Sequence, residues 1–160
     1  MLNEIMAKIT ARERMIGIGA IVVVVGWLIG LILGSKDVCA TYAGQKICAG
    51  SQNYFTHEHG TDLGLLALLA AIAGIVVIYL KYAPNMKINW PAPLPVIMLA
   101  IGGVAVGASA LMLVLAFLDA KDFMDFVPIT MWIAMIAMVV GGALMAWPAY
   151  QDWTATKTAV

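Results

Sequence analysis

Charge is scarce in this sequence. Only 11% of its 160 residues are Asp, Glu, Lys or Arg, and nine acids balance nine bases. Soluble domains carry about 25% charged residues. Zero net charge leaves no basic face to hold phosphates, so nucleic acid is excluded as a partner. Histidine and cysteine are also sparse, with two of each. Gly-x-Ser-x-Gly, His-Glu-x-x-His and phosphate-cradling glycine loops are all missing. No histidine stands in an apolar stretch to ligate haem or chlorophyll. These absences argue against an enzyme, a pump and a b-type cytochrome, and the chain is read as non-catalytic.

Apolar residues fill the space that charge leaves. They make up 63% of the chain, and mean hydropathy is +0.96. Crossing about 30 Å of hydrocarbon takes about 20 mostly apolar residues. Four stretches qualify, at about 15–34, 63–82, 94–118 and 128–147. Backbone polar groups in lipid must be satisfied within the segment, and these runs are too long and too uniformly apolar for barrel strands. The expected fold class is an all-α membrane protein, one domain over 1–160, with four transmembrane helices in an up-down bundle. Lys81, at the end of the second stretch, is the one charge in any of them. A proton relay, voltage sensor or buried ion-coupling site needs more than that.

Basic residues set the expected orientation. Lys8, Arg12, Arg14, Lys81, Lys87 and Lys157 fall in the N-tail, the second loop and the C-tail or at their edges, against Lys36, Lys46 and Lys121 in the first and third loops. Six against three places both termini in the cytoplasm, with loops 35–62 and 119–127 on the outer face of the cell membrane. Tyr79, Tyr82, Trp90, Trp147, Tyr150 and Trp153 then cluster at the inner interface, and Phe55, Phe117, Phe123, Phe126 and Trp132 near the outer one. Rings with an apolar body and a polar edge settle at headgroup level.

The first apolar run is longer than the 7–15 residues or so of a cleavable signal peptide, and it is read as a retained anchor. Before it, Leu2, Ile5, Met6 and Ile9 follow helical spacing, which predicts an interfacial amphipathic helix over 1–13. Pro91, Pro93 and Pro95 mark a stiff lead into the third span, and Pro128 and Pro148 bracket the fourth.

Helices in lipid associate through close packing rather than water exclusion. Small residues line up to allow it. The first span carries Gly26, Gly30 and Gly34 at intervals of four, and the third carries Ala100, Gly103, Gly107 and Ala110. Gly64, Ala67, Ala71 and Gly74 in the second span and Ala134, Ala137 and Gly141 in the fourth do the same. These rows either pack the four helices together or dock a partner, with the triple glycine of the first span the leading docking row.

Polar candidates lie outside the spans. Cys39 and Cys48 lie in the first outer loop with eight residues between them, and an outer location favours a disulfide. A redox pair lacks Cys-x-x-Cys spacing, and a thiolate metal site would need His57 or His59 to fold back. His57, His59 and Asp62 form the densest polar cluster. They are read either as a zinc or copper site on an extended segment or as a solvated loop in which Asp62, beside Thr61, caps the second helix. Asp119, Asp122 and Asp125 read as a solvated turn rather than a calcium loop. Met131, Met135 and Met138 share one face of the fourth span; thioethers suit Cu(I), and methionine also fills irregular gaps between helices.

Four spans, cytoplasmic termini and a cysteine pair in the first outer loop are similar to the layout of claudin-type tetraspan proteins. The similarity is one of layout. The Trp and Gly-Leu-Trp residues that precede the pair in that family are absent, and no functional residue carries over.

The leading functional expectation is a small non-catalytic accessory or scaffold subunit that packs against other membrane-protein subunits or forms a homo-oligomer. The alternatives are a transporter or channel subunit working as an oligomer, and an outer-face metal-binding module. No cofactor is indicated. Bound lipid, quinone and carotenoid need no signature residue and stay open.

Overall fold

The computed structural model describes residues 9–42, 45–56, 58–82, 88–119 and 128–158, with backbone alone over 36–42, 45–52, 58–59 and at 158. Four long helices dominate. They are α1 (Ala11–Leu33), α2 (Glu58–Tyr82), α3 (Leu94–Asp119) and α4 (Ile129–Thr158). Each is long and apolar enough to cross a membrane. To this all-α plan the first loop adds an antiparallel hairpin, β1 (Lys36–Tyr42) with β2 (Gln45–Gln52), followed by a short 3-10 turn at Tyr54–Thr56.

Several boundaries differ from the sequence expectation. The first helix starts at Ala11 because Thr10 caps it: the Glu13 N–H donates to Thr10 Oγ1, and the Glu13 carboxylate accepts from the Thr10 N–H. This reciprocal arrangement satisfies two backbone donors at once. Ile9 and Thr10 are therefore non-helical, and residues 11–13 of the expected interfacial helix belong to the span. Residues 1–8 lie outside the described part. The second helix starts at Glu58, so Thr61 and Asp62 stand within its first turns rather than at its cap, and Thr61 Oγ1 donates to the Phe55 carbonyl at 3.2 Å. The fourth helix does not end near Pro148. It continues through that proline to Thr158.

The helices form a ring in chain order. α4 packs extensively on α1 and α3, α2 packs on α3 and α1, and the α2–α4 diagonal hardly touches. Small residues make the closest approaches, as lipid-immersed packing requires. A Cβ built on Gly19 would lie 2.5 Å from the Gly141 carbonyl oxygen, and one built on Gly141 would lie 2.7 Å from that of Gly19. Gly142, the next residue, faces the other neighbour: its Cβ would meet the Val106 backbone at 2.6 Å. Gly102 completes the α3–α4 seam against the Ala146 backbone at 2.8 Å. Consecutive glycines thus let α4 lie close to two helices at once.

Methionines fill the rest of the interior. Met98 and Met112 on α3, with Met131, Met135, Met138 and Met145 on α4, are buried. Their unbranched side chains suit the irregular space between small residues. Ser109, the one buried hydroxyl in the α3 seam, donates back to the Ala105 carbonyl at 2.7 Å and so exposes no unpaired group to the core.

Candidate functional site

Glu13 is the centre of the polar network at the end of the bundle where α1 begins. The sequence places it at the end of the interfacial helix expected over 1–13; the capped helix places it in a buried position at the ring's edge. Lys81 Nζ, from the last turn of α2, forms an ion pair with Glu13 Oε1. The neighbouring Tyr82 hydroxyl donates to Oε2 at 2.6 Å, and the Thr10 hydroxyl donates to the same oxygen at 2.8 Å. A carboxylate out of water is tolerated when its oxygens are this well supplied with donors. Beside it, Arg12 pairs with Asp152 of α4. The two ion pairs tie the start of α1 to the ends of α2 and α4, so those ends lie together.

A cavity of about 210 Å³ opens at this level. Its walls include Ile16, Val77, Ile78 and Met98, and Glu13, Lys81 and Asp152 supply its polar groups. Nearby, Trp147, Tyr150 and Trp153 form a ladder on α4, with centroids 6.3 and 5.9 Å apart. Lys157 Nζ sits 4.0 Å over the Trp153 ring. This cation–π contact ends the ladder with a charge.

The opposite end of the bundle is capped by side chains from other segments. The last carbonyls of a helix have no partner within it. Here Asn53 Nδ2 donates to the carbonyls of Gly30 at 3.2 Å and Leu31 at 2.8 Å, and Thr130 Oγ1 donates to that of Leu33 at 2.8 Å. The Asn53 oxygen accepts from the Phe55 N–H at 2.9 Å, which holds the 3-10 turn in place. Burial, and after it the Asp119 carboxylate, push the Tyr54 phenol above its ordinary range. The Trp27 indole N–H is buried without an acceptor among the described residues, alongside Gly64.

The sequence-selected glycines divide into two groups. Gly26 faces the Ala134 carbonyl and Met138 of α4, Gly30 lies under the Phe55 ring, and Gly34 follows the last turn of α1 beside Asn53. These three are covered by the chain's own residues. Gly103 and Gly107 have nothing within 4 Å of where a Cβ would sit. With Ala100, Val104 and Leu111 they form an open outward face of α3. The buried residues of the same helix are Met98, Gly102, Ala105, Ala108, Ser109, Met112 and Ala116, a register that its uniformly apolar sequence does not mark.

The remaining candidates are less connected. Cys39 and Cys48 stand directly opposite each other in the β1–β2 register, just after a one-residue slip in pairing. Their side chains lie outside the described part. His57 is also outside it, His59 is described by backbone alone, and Asp62 is exposed on α2. Among the described residues, no three His, Cys, Asp or Glu side chains converge as a metal site would need. No protein-family model, curated protein or solved structure matches this chain.

Proposed function

We propose that this small multi-pass membrane protein is a non-catalytic accessory subunit that packs against another transmembrane helix through the outward face of α3. The observation that carries this reading is the open space over Gly103 and Gly107. A pair of glycines one turn apart lets another backbone approach closely, and such contacts drive helix association in lipid. The other helical glycines selected from the sequence already serve the bundle itself. In this reading both chain ends face the cytoplasm, following the basic-residue bias, and the β1–β2 hairpin lies on the outer face with a Cys39–Cys48 disulfide.

The test is native electrophoresis and in-membrane crosslinking of the full chain in mild detergent, with Gly103→Leu and Gly107→Leu variants alongside. The expected result is a complex larger than the monomer, containing a second copy or a co-purifying membrane protein, that both variants dissolve while remaining folded. A folded monomer in the native chain, or a complex indifferent to both substitutions, overturns the reading.

A further inference from the structure

We infer that the cavity at the Glu13 end of the bundle binds the headgroup of a phospholipid carrying a primary amine, with a phosphoethanolamine head as the fitting chemistry. The inference is independent of the α3 face. Depth is the first observation. Asp152 stands 23 residues beyond Ile129 on a continuous helix, or about 35 Å at 1.5 Å per residue, which exceeds the roughly 30 Å hydrocarbon layer. The cavity therefore lies where headgroups lie, with apolar walls of Ile16, Val77 and Met98 leading toward the acyl region. At about 210 Å³ it is smaller than typical ligand pockets of roughly 300–1,000 Å³, so it suits a headgroup and the start of a chain rather than a whole lipid.

Charge is the second observation. The Lys81 side chain is 38% exposed, and only one of its three N–H donors is needed for Glu13 Oε1. The Asp152 side chain is 35% exposed and meets Arg12 through Oδ1, which leaves acceptor capacity on its other oxygen. Glu13 is already saturated by Lys81, Tyr82 and Thr10. The cavity thus offers one cationic donor for a phosphate and one anionic acceptor for an ammonium. A glycerol head brings no ammonium to the second Asp152 oxygen, whose partner oxygen is already held by Arg12. A choline head cannot donate a hydrogen bond and favours aromatic cages, and among the described residues no aromatic ring lines this cavity.

The experiment is lipid exchange followed by native mass spectrometry on the full chain. It uses dioleoyl lipids with ethanolamine, choline or glycerol heads, and soluble phosphoethanolamine as competitor. The ethanolamine lipid should be retained about tenfold over the choline lipid, the ratio that one charge-assisted hydrogen bond supplies. Asp152→Asn should bring the two to parity with little change in melting temperature, and Asp152→Glu should restore the preference. Equal retention by the native chain, preference for the glycerol lipid, or a preference unchanged in Asp152→Asn overturns the inference. Displacement of the lipid by millimolar soluble phosphoethanolamine overturns it as well, because the apolar walls would then contribute nothing. Should Asp152→Asn fail to fold, the retention ratio of the native chain still decides.

Discussion

Gly19 of α1 and Gly141 of α4 occupy each other's missing side-chain volume, each backbone lying where the other's Cβ would be. This reciprocal contact makes the α1–α4 seam intolerant of any added atom. Gly141→Val should destabilise the bundle by about 1–3 kcal/mol or more, the cost of overpacking a tight core. Gly103→Val, on the open face of α3, should leave monomer stability within about 0.5 kcal/mol. Thermal unfolding in detergent, followed by size-exclusion chromatography, separates the two.

Glu13 anchors four donor groups from three residues, so its removal leaves more than one group unpaired. Glu13→Ala should cost about 1–3 kcal/mol, the penalty for stranding buried polar partners, moderated by the water that reaches Lys81. Lys81→Met should cost less, because Tyr82 and Thr10 still serve the carboxylate. Arg12→Ala should cost about 0–1 kcal/mol, since that pair is largely in water. A double-mutant cycle on Glu13 and Lys81 should show the double variant less destabilised than the sum of the two single effects, with a coupling energy of about 0.5–3 kcal/mol.

Phe55 is the plug over Gly30. Its ring is almost wholly buried although it comes from a three-residue turn. Phe55→Ala should cost about 3–5 kcal/mol through the void left behind. Asn53→Ala should cost about 1–3 kcal/mol by stripping the Gly30 and Leu31 carbonyls of their donor. Hydrogen exchange at the end of α1 should rise in both variants.

The register of the hairpin brings Cys39 and Cys48 opposite one another, and directly opposed residues of an antiparallel pair are separated by about 4.5–5.5 Å at Cα, within the range a disulfide spans. Intact mass under non-reducing conditions should be two hydrogens below the reduced value. Replacing both by serine should lower stability by about 2–3 kcal/mol, as expected for so short a closed loop.

The spans were legible because their apolar runs are long and uninterrupted. The same uniformity hid their rotation. A helix that is apolar all round carries no polar face to reveal which side points inward, so α3 presents two rows of small residues that read alike. Packing buries Gly102 and Ala105 and turns Gly103 and Gly107 outward. Gly142 is hidden for the same reason: only its position next to Gly141 marks it as serving a second neighbour. The sequence leaves Glu13 at the end of the expected interfacial helix because its partners Lys81 and Tyr82 come from nearly seventy residues away. Thr10 followed three positions later by Glu13 was the local signal that could have moved the start of the helix. On the sequence, Pro148 brackets the end of the fourth span. A proline inside a helix removes one backbone donor and kinks or breaks it, yet α4 runs on, with Pro148 buried in the bundle.

The rings of Trp147, Tyr150 and Trp153 climb a rigid helix that is itself bonded to α1 through Asp152. Aromatic and cationic side chains resist leaving the headgroup zone in either direction. In the proposed membrane setting the ladder is a waterline for the whole bundle, and a thicker or thinner bilayer is met by tilt or by the surrounding lipid rather than by vertical sliding.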